Sequence, residues 1–348
     1  MTTAPAALTT VAGPVEHRLD AALAAESARW TAIDPNLQPF LDTLHDLVLG
    51  GGKRLRPAFC YWGHQAAGGP ADDPRVVDAG AALELLHAFA LAHDDVMDGS
   101  TTRRSSATIH ERWAKRHADA GWRGESRRFG EGVAILVGDL AHVIADHLIV
   151  LAAPGAAELW RDLRSEVNLG QLLDVLSTAR SSTDRDLATR IARYKSGLYT
   201  VERPLALGAH IAGEDALGQR LATYGQPVGE AFQLRDDILG AFGDSEVVGK
   251  PVGDDLREGK PTLLLAIASE RATATQAAVL STIGTTLSAT DIALVQQVLI
   301  DTGALDAVEA GIEQRTHAGL AALDELDLPA EADTALRELA VFVSSRRH

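Results

Sequence analysis

The chain has 348 residues, 46% of them hydrophobic, and a formal net charge of −16 at pH 7. A field of that sign repels phosphate backbones, which excludes nucleic acid as a partner. Its single cysteine, Cys60, excludes an internal disulfide and a cysteine-based zinc site, and fits a reducing cytoplasm.

Residues Met1 to about Val15, rich in Ala, Thr and Pro, read as a mobile N-terminal arm with little apolar surface to bury. They lack the long apolar core of a secretory signal. From 16 to 348 no Pro/Ser tract, charge block or fixed repeat marks a linker, so residues 16–348 read as one domain. Ala and Leu are abundant, aromatics make up 5% of the chain, and β-branched alternation never runs far. These features predict an all-α fold of roughly a dozen helices.

The first chemical signal is Gly50-Gly51-Gly52-Lys53-Arg54-Leu55-Arg56-Pro57. Glycine lets a phosphate approach the main chain, and Arg offers a planar, multidentate grip. Alone, the stretch fits a charged surface loop equally well. Asp73-Pro74 then reads as an N-cap followed by proline at the first helical position, opening a helix toward Asp98. Val76, Val77, Leu83, Leu85, Leu86, Phe89 and Leu91 cover every face of that helix, so it is expected to be buried. It ends in His93-Asp94-Asp95-Val96-Met97-Asp98. Three carboxylates at the end of a buried helix need a compensating cation. Asp94, Asp95 and Asp98 fall within about 100° of one helix face, and Thr102-Arg103-Arg104 follows them.

The two most apolar stretches are Val76–Ala92 and Val133–Ala153. Asp78, Glu84 and His87 interrupt one, and Asp139, His142 and Asp146 the other, which predicts no membrane span. Pro154-Gly155 closes a helix beginning near Glu131, and Pro204 and Pro227 are expected to kink or break theirs. Lys195-Ser196-Gly197 adds a cation beside a hydroxyl. Arg235-Asp236-Asp237-Ile238-Leu239 repeats the Asp-Asp pair on a second helix, and Lys250 and Lys260 flank a Gly-rich loop. Two facing acidic patches would hold hard divalent cations, and magnesium suits them. A single Asp-Asp pair would also fit a solvated helix end. Ser288 through Asp291 caps Ile292–Leu299, and Gly303 can end that helix.

The order of these blocks resembles the trans-isoprenyl diphosphate synthases. It runs from Gly51-Gly52-Lys53-Arg54-Leu55-Arg56-Pro57 through His93-Asp94-Asp95-Val96-Met97-Asp98, Arg103-Arg104, Lys195 and Phe232-Gln233-Leu234-Arg235-Asp236-Asp237. Gly249-Lys250-Pro251 and Gly259-Lys260 complete it. The match covers about residues 45 to 265; the C-terminal third matches only in helical character.

The resemblance implies a single large helical bundle of the isoprenoid synthase type around a central active-site cavity. It implies that Asp94, Asp95 and Asp98, with Asp236 and Asp237, hold two or three Mg2+ ions on the diphosphate of an allylic substrate. Together with Lys195 they form the catalytic set. Arg103, Lys195, Ser196, Gln233, Lys250 and Lys260 contact the same diphosphate, and Lys53, Arg56, His87 and Arg104 bind that of isopentenyl diphosphate. The family's second motif usually ends in a third Asp. This chain has Gly240 there, with Asp244 and Asp254-Asp255 nearby but out of register, which leaves the number of magnesium ions open.

The implied chemistry is chain elongation. An allylic diphosphate (dimethylallyl, geranyl or farnesyl) ionises, isopentenyl diphosphate attacks the carbocation, and proton loss gives a product five carbons longer. Phe89 and Ala90, five and four residues before Asp94, form the expected chain-length pocket. Their pattern resembles synthases stopping at geranylgeranyl diphosphate, with farnesyl diphosphate second. A terpene cyclase has no use for Lys53, Arg56, His87 and Arg104. A non-catalytic partner subunit would have lost acidic ligands, whereas five of six remain here. The family is typically homodimeric.

Overall fold

A computed structural model describes residues 4–243 and 253–345. Lys250 and Asp244 lie outside the described residues. Among those described, the class is all-α, as expected, with somewhat more helices than a dozen. The chain divides into two compact units, one of residues 4–157 and 204–218, the other of residues 158–203 and 219–345.

In the first unit, α1 (Ala6–Thr31) packs against α2 (Gln38–Leu49), α3 (Leu55–Ala66) and α4 (Pro74–Asp98). Its first turns correct the reading of residues 6–15 as an unpacked arm. Ala7, Leu8, Val11 and Val15 are buried along one stripe, and the Trp62 indole N–H donates to the Ala7 carbonyl at 2.8 Å. The spacing of these small apolar residues makes a helical face despite the Ala/Thr-rich composition.

Helix α4 begins as its sequence dictates. The Asp73 carboxylate accepts from the Arg75 N–H at 2.9 Å with Pro74 in the first turn, and Gly99 ends the helix in a left-handed conformation, φ +67°. Leu83, Leu85 and Leu86 are fully buried, as an all-round apolar helix requires. After α4, β1 (Thr102–Arg103) pairs antiparallel with β2 (Ser106–Ala107), the only strands among the described residues. Next come α5 (Ile109–Asp119) and α6 (Ser126–Ala152), which starts five residues before Glu131. Helices α4 and α6 are each long and apolar enough to cross a membrane by length and composition. Within this unit they pack on each other. Gly138 makes the approach close, because a Cβ there would meet the His93 ring and come within 3.3 Å of the Phe89 carbonyl.

The second unit contains α7 (Ala157–Ala179), α8 (Arg185–Ile191) and a π-helical segment, Ala192–Glu202. Pro204, the first residue of the 204–218 segment of the other unit, lies where the π-helical segment runs straight on into α9 (Arg203–Ile211), so it does not end the helical run. Pro227 lies inside α10 (Asp215–Phe242) without ending it. Burial of Tyr224, Val228 and Ala231 on the same helix offsets the lost hydrogen bond. The short α11 (Asp254–Glu258) precedes α12 (Leu263–Arg271), α13 (Ala274–Leu280), α14 (Ala289–Asp301), α15 (Ala304–Asp324) and α16 (Ala330–Ser345). Ser288 and Asp291 form the expected capping box of α14. Arg235 fixes the roll of α10. Its guanidinium grips Glu309 of α15 at 2.7 and 2.6 Å and donates to the Ser344 carbonyl of α16 at 2.7 Å.

Candidate active site

In the first unit the Gly-rich loop meets α4 through Arg54, which takes a left-handed φ of +51°. Its buried guanidinium donates to Glu84 at 2.7 Å, to Glu16 at 3.1 Å and to the Val48 carbonyl at 3.0 Å. Arg54 is therefore a girder; beside it Lys53 is exposed and Arg56 largely buried. Gly52, at φ +147°, holds a conformation that side chains rarely adopt, and the guanidiniums of Arg104 and Arg54 lie beside it.

Arg104 and Ser105 form the corner between β1 and β2, both with positive φ (51° and 60°), as in a type I′ hairpin turn. Such backbone is costly for residues other than glycine. Here it sends Arg103 and Arg104 to different tasks. Arg104 donates to the Gly51 carbonyl, closing the Gly-rich loop against the hairpin. Arg103 turns to the acidic end of α4, 2.6 Å from Asp95 and 3.8 Å from Asp94.

The cationic end carries a clear electrostatic signature. Burial, followed by the charges of Arg56, Arg104, Arg103 and Arg54, pushes the pKa of His87 well below the ordinary imidazole range. Burial and the like charges of Arg103 and Arg54 also lower the pKa of Arg104. A neutral imidazole among guanidiniums that repel one another is a site with surplus positive charge, and a polyanion would relieve it. At the other end burial works against the charge of Arg103. Asp95, Asp94 and Asp98 more than offset it, and its pKa is raised. The chain's net acidity is thus reversed locally.

In the second unit, Lys195 and Ser196 sit on the π-helical segment, which sequence reading missed. An i→i+5 turn has no local compositional signal, but it is common at functional positions. Two bare backbones make room for it. A Cβ at Gly170 of α7 would collide with the main chain of Tyr194 and Lys195, and Gly197 packs directly on Gly229 of α10. The Lys195 ammonium lies 2.5 Å from Asp174, a buried carboxylate on α7 that sequence reading did not single out. One acid on an amphipathic helix gives no signal until its partner is seen.

Gln233 donates to Asp237 at 2.7 Å, one turn along α10. Asp237 is only 7% exposed. Burial first, then the charges of Asp255, Asp236 and Asp174, push its pKa up to about 8 against the opposing hydrogen bond from Gln233. Lys260 lies 2.8 Å from Glu258 and 3.6 Å from Asp255. This all-oxygen set carries more carboxylate than cation, and a divalent ion would let Asp237 ionise. Among the described residues no three acidic, His or Cys side chains form a ready cage. Magnesium takes one or two carboxylates, keeps waters and shares substrate phosphate oxygens. The residues present fit the ion.

Phe89 faces α6. Its ring stacks on His142 with centroids 4.7 Å apart at 28°, and meets His93 edge-on at 4.6 Å. Ala90 is half-buried on the neighbouring face. His142 had been read only as a charge interrupting an apolar stretch.

The family model described as polyprenyl synthetase matches residues 38–300. The chain is 32% identical to the geranylfarnesyl diphosphate synthase of Aeropyrum pernix, over 77% of this chain and 81% of that one. It is 33% identical to the geranylgeranyl diphosphate synthase of Mycobacterium tuberculosis, over 79% and 75%. The fold matches the geranylgeranyl pyrophosphate synthase of Corynebacterium glutamicum, solved with isoprenyl diphosphate and magnesium. The TM-score is 0.91 and the identity 39%, covering 95% of this chain and 97% of that one.

Proposed function

Since the chain belongs to the polyprenyl synthetase family and is a chain-elongating trans-prenyltransferase, we propose that it joins isopentenyl diphosphate to allylic diphosphates and stops at geranylgeranyl diphosphate. The observation that carries the two-substrate reading is the cationic cluster around neutral His87, two turns before Asp94 on α4. A cyclase acting on one prenyl diphosphate has no use for that second anion site.

Lys53, Arg56 and Arg104 hold the diphosphate of isopentenyl diphosphate, and His87 donates one hydrogen bond to it. Asp94, Asp95, Asp98, Asp236 and Asp237 carry Mg2+ at the allylic diphosphate, with two or three ions as the number. When bound, the ions neutralise the leaving diphosphate and so lower the barrier to C–O ionisation. Lys195, Ser196, Gln233 and Lys260 contact the same group, as does Lys250. Arg103 holds Asp94 and Asp95 in place and adds its own charge there. No side chain serves as a dedicated general base; the departing diphosphate takes the proton. Phe89 and Ala90 border the growing tail, and the apolar body of α4 keeps water from the cation.

The assembly we propose is a homodimer in the cytoplasm. Leu136, Val143 and Val150 form an exposed apolar stripe on α6, and Leu169, Leu172 and Leu176 another on α7. Stripes of that kind favour burial against a second copy. The deciding experiment supplies isopentenyl diphosphate, each allylic primer and Mg2+, and identifies the released alcohols by mass. A C20 alcohol is expected. A C15 end product would move the reading to farnesyl diphosphate, and cyclic hydrocarbon from one substrate alone would overturn it.

A further inference from the structure

We propose that the turn between α5 and α6 docks on an anionic lipid bilayer, with Trp122 seated among the headgroups. From Glu111 to Glu131 the sequence carries six Lys and Arg against four Asp and Glu, in a chain whose net charge is −16. Arg112, Lys115, Arg116, Arg123, Arg127 and Arg128 are all exposed. Lys115 is held by Asp119 at 2.8 Å, Arg127 by Glu131 at 2.7 Å, and Arg112 lies 3.5 Å from Asp46. The Arg116 guanidinium rests over the Trp113 ring, 4.9 Å from its centroid. Arg123 and Arg128 form no ion pair among the described residues. Trp122 is 46% exposed, yet its place is fixed. Its backbone N–H donates to the His117 carbonyl at 3.2 Å, and the His117 Nε2 lies 3.1 Å from the Arg123 carbonyl. Its ring meets those of Phe129 and buried His117 edge-on, with centroids 5.4 and 5.9 Å apart. Gly121 and Gly124, at φ +62° and +99°, let the chain double back on either side.

A rigid tryptophan ringed by arginines matches the chemistry of a bilayer surface. An indole joins an apolar body to a polar N–H and settles at headgroup level, while guanidiniums meet lipid phosphates. Beside the turn, Glu125, Arg127, Arg128, Glu131, Gly132 and Ile135 line an open concavity of about 480 Å³. Arg128 and Ile135, the latter 43% exposed, stand seven residues apart on one face of α6. One offers a cation to a phosphate, the other apolar surface to the carbon beneath it. Salt screens charges more than about 8 Å away, so the acidity of the rest of the chain does not cancel this contact. A prenyltransferase that elongates apolar tails releases an amphiphile. Docking lets that product enter the bilayer with little exposure of its tail to water.

The test sediments the full chain with vesicles of phosphatidylcholine, either pure or mixed with phosphatidylglycerol. The wild type should sediment with the mixed vesicles and not with the pure ones, and high salt should release it. Arg123→Gln/Arg128→Gln should lower partitioning on the order of 30-fold, at about 5-fold for each cation near the surface. Brominated phosphatidylglycerol should quench the tryptophan emission of the wild type, and Trp122→Phe should lose most of that quenching. These three residues lie outside the catalytic set, so turnover in the absence of vesicles should stay at the wild-type level and certify the fold of each variant. Absence of the wild type from the mixed-vesicle pellet would overturn the proposal, as would equal sedimentation with pure phosphatidylcholine. Undiminished binding by Arg123→Gln/Arg128→Gln, or quenching unchanged in Trp122→Phe, would overturn it too. Sedimentation needs no substrate, so none of these results bears on the prenyl transfer itself.

Discussion

Replacing Asp237 by Asn should stabilise the metal-free protein, and increasingly so as pH rises. The carboxyl of Asp237 titrates near 8 in the fold against about 3.9 in an unfolded chain. Between those values the folded state holds a proton that the unfolded state has lost, so unfolding releases it. Stability therefore falls with rising pH across that window and levels off above it. Each pH unit costs about 1.4 kcal/mol, which amounts to roughly 4 kcal/mol between pH 5 and pH 8. At about 2 °C per kcal/mol for a large chain, the Tm gap between variant and wild type should widen by roughly 8 °C over that range. Asn retains the shape and can still accept from Gln233, so packing changes little. The assay is thermal unfolding by circular dichroism in excess chelator, at steps from pH 5 to pH 8. The other titrating groups are common to both proteins and cancel in the comparison. Added Mg2+ and pyrophosphate should close the gap in favour of the wild type. Parallel profiles for the two proteins would refute the reasoning, because they would mean that Asp237 ionises normally without metal.

Asp94→Ala and Asp236→Ala should each remove most turnover while circular dichroism stays native, and magnesium chelation should do the same to the wild type; near-normal turnover in either variant would remove that residue from the metal set. Arg104→Ala should weaken isopentenyl diphosphate binding by about 2–4 kcal/mol, the loss of one member of a desolvated charge pair, with a smaller change for the allylic substrate; calorimetry with each substrate separates the two. Phe89→Ala should lengthen the main product by one or more five-carbon units and cost about 3–5 kcal/mol of stability. Product mass and urea unfolding read the two effects independently, and an unchanged product would leave Phe89 as a packing partner of His142 and His93.

The parts of this chain most legible in its sequence are those whose meaning is local. Asp73-Pro74 opens α4 where it stands, Ser288 caps α14 with Asp291, and the all-round apolar run 76–91 becomes a buried helix. Local chemistry also singled out the Asp-Asp pairs and the Gly-Gly-Lys-Arg loop. Legibility failed where distant segments decide. Residues 6–15 were misjudged because composition was weighed above the spacing of Ala7, Leu8, Val11 and Val15. Arg54 and Arg56 look alike in sequence, and only the partners Glu84 and Glu16 turn one into a girder.

The π-helical segment has a consequence for anyone mapping this enzyme by mutation. Lys195 is carried on a turn whose clearance is set by atoms that are missing, at Gly170, Gly197 and Gly229. A saturation screen scored on product formation will flag these three positions as sharply as it flags the aspartates. Yet Gly170 and Gly229 present no functional group to a ligand. Their alanine variants would fail by displacing the backbone that carries the lysine. Intolerance at a position therefore measures there how finely a neighbour is aimed, and a tolerance map of this protein will outline more than the groups that touch substrate.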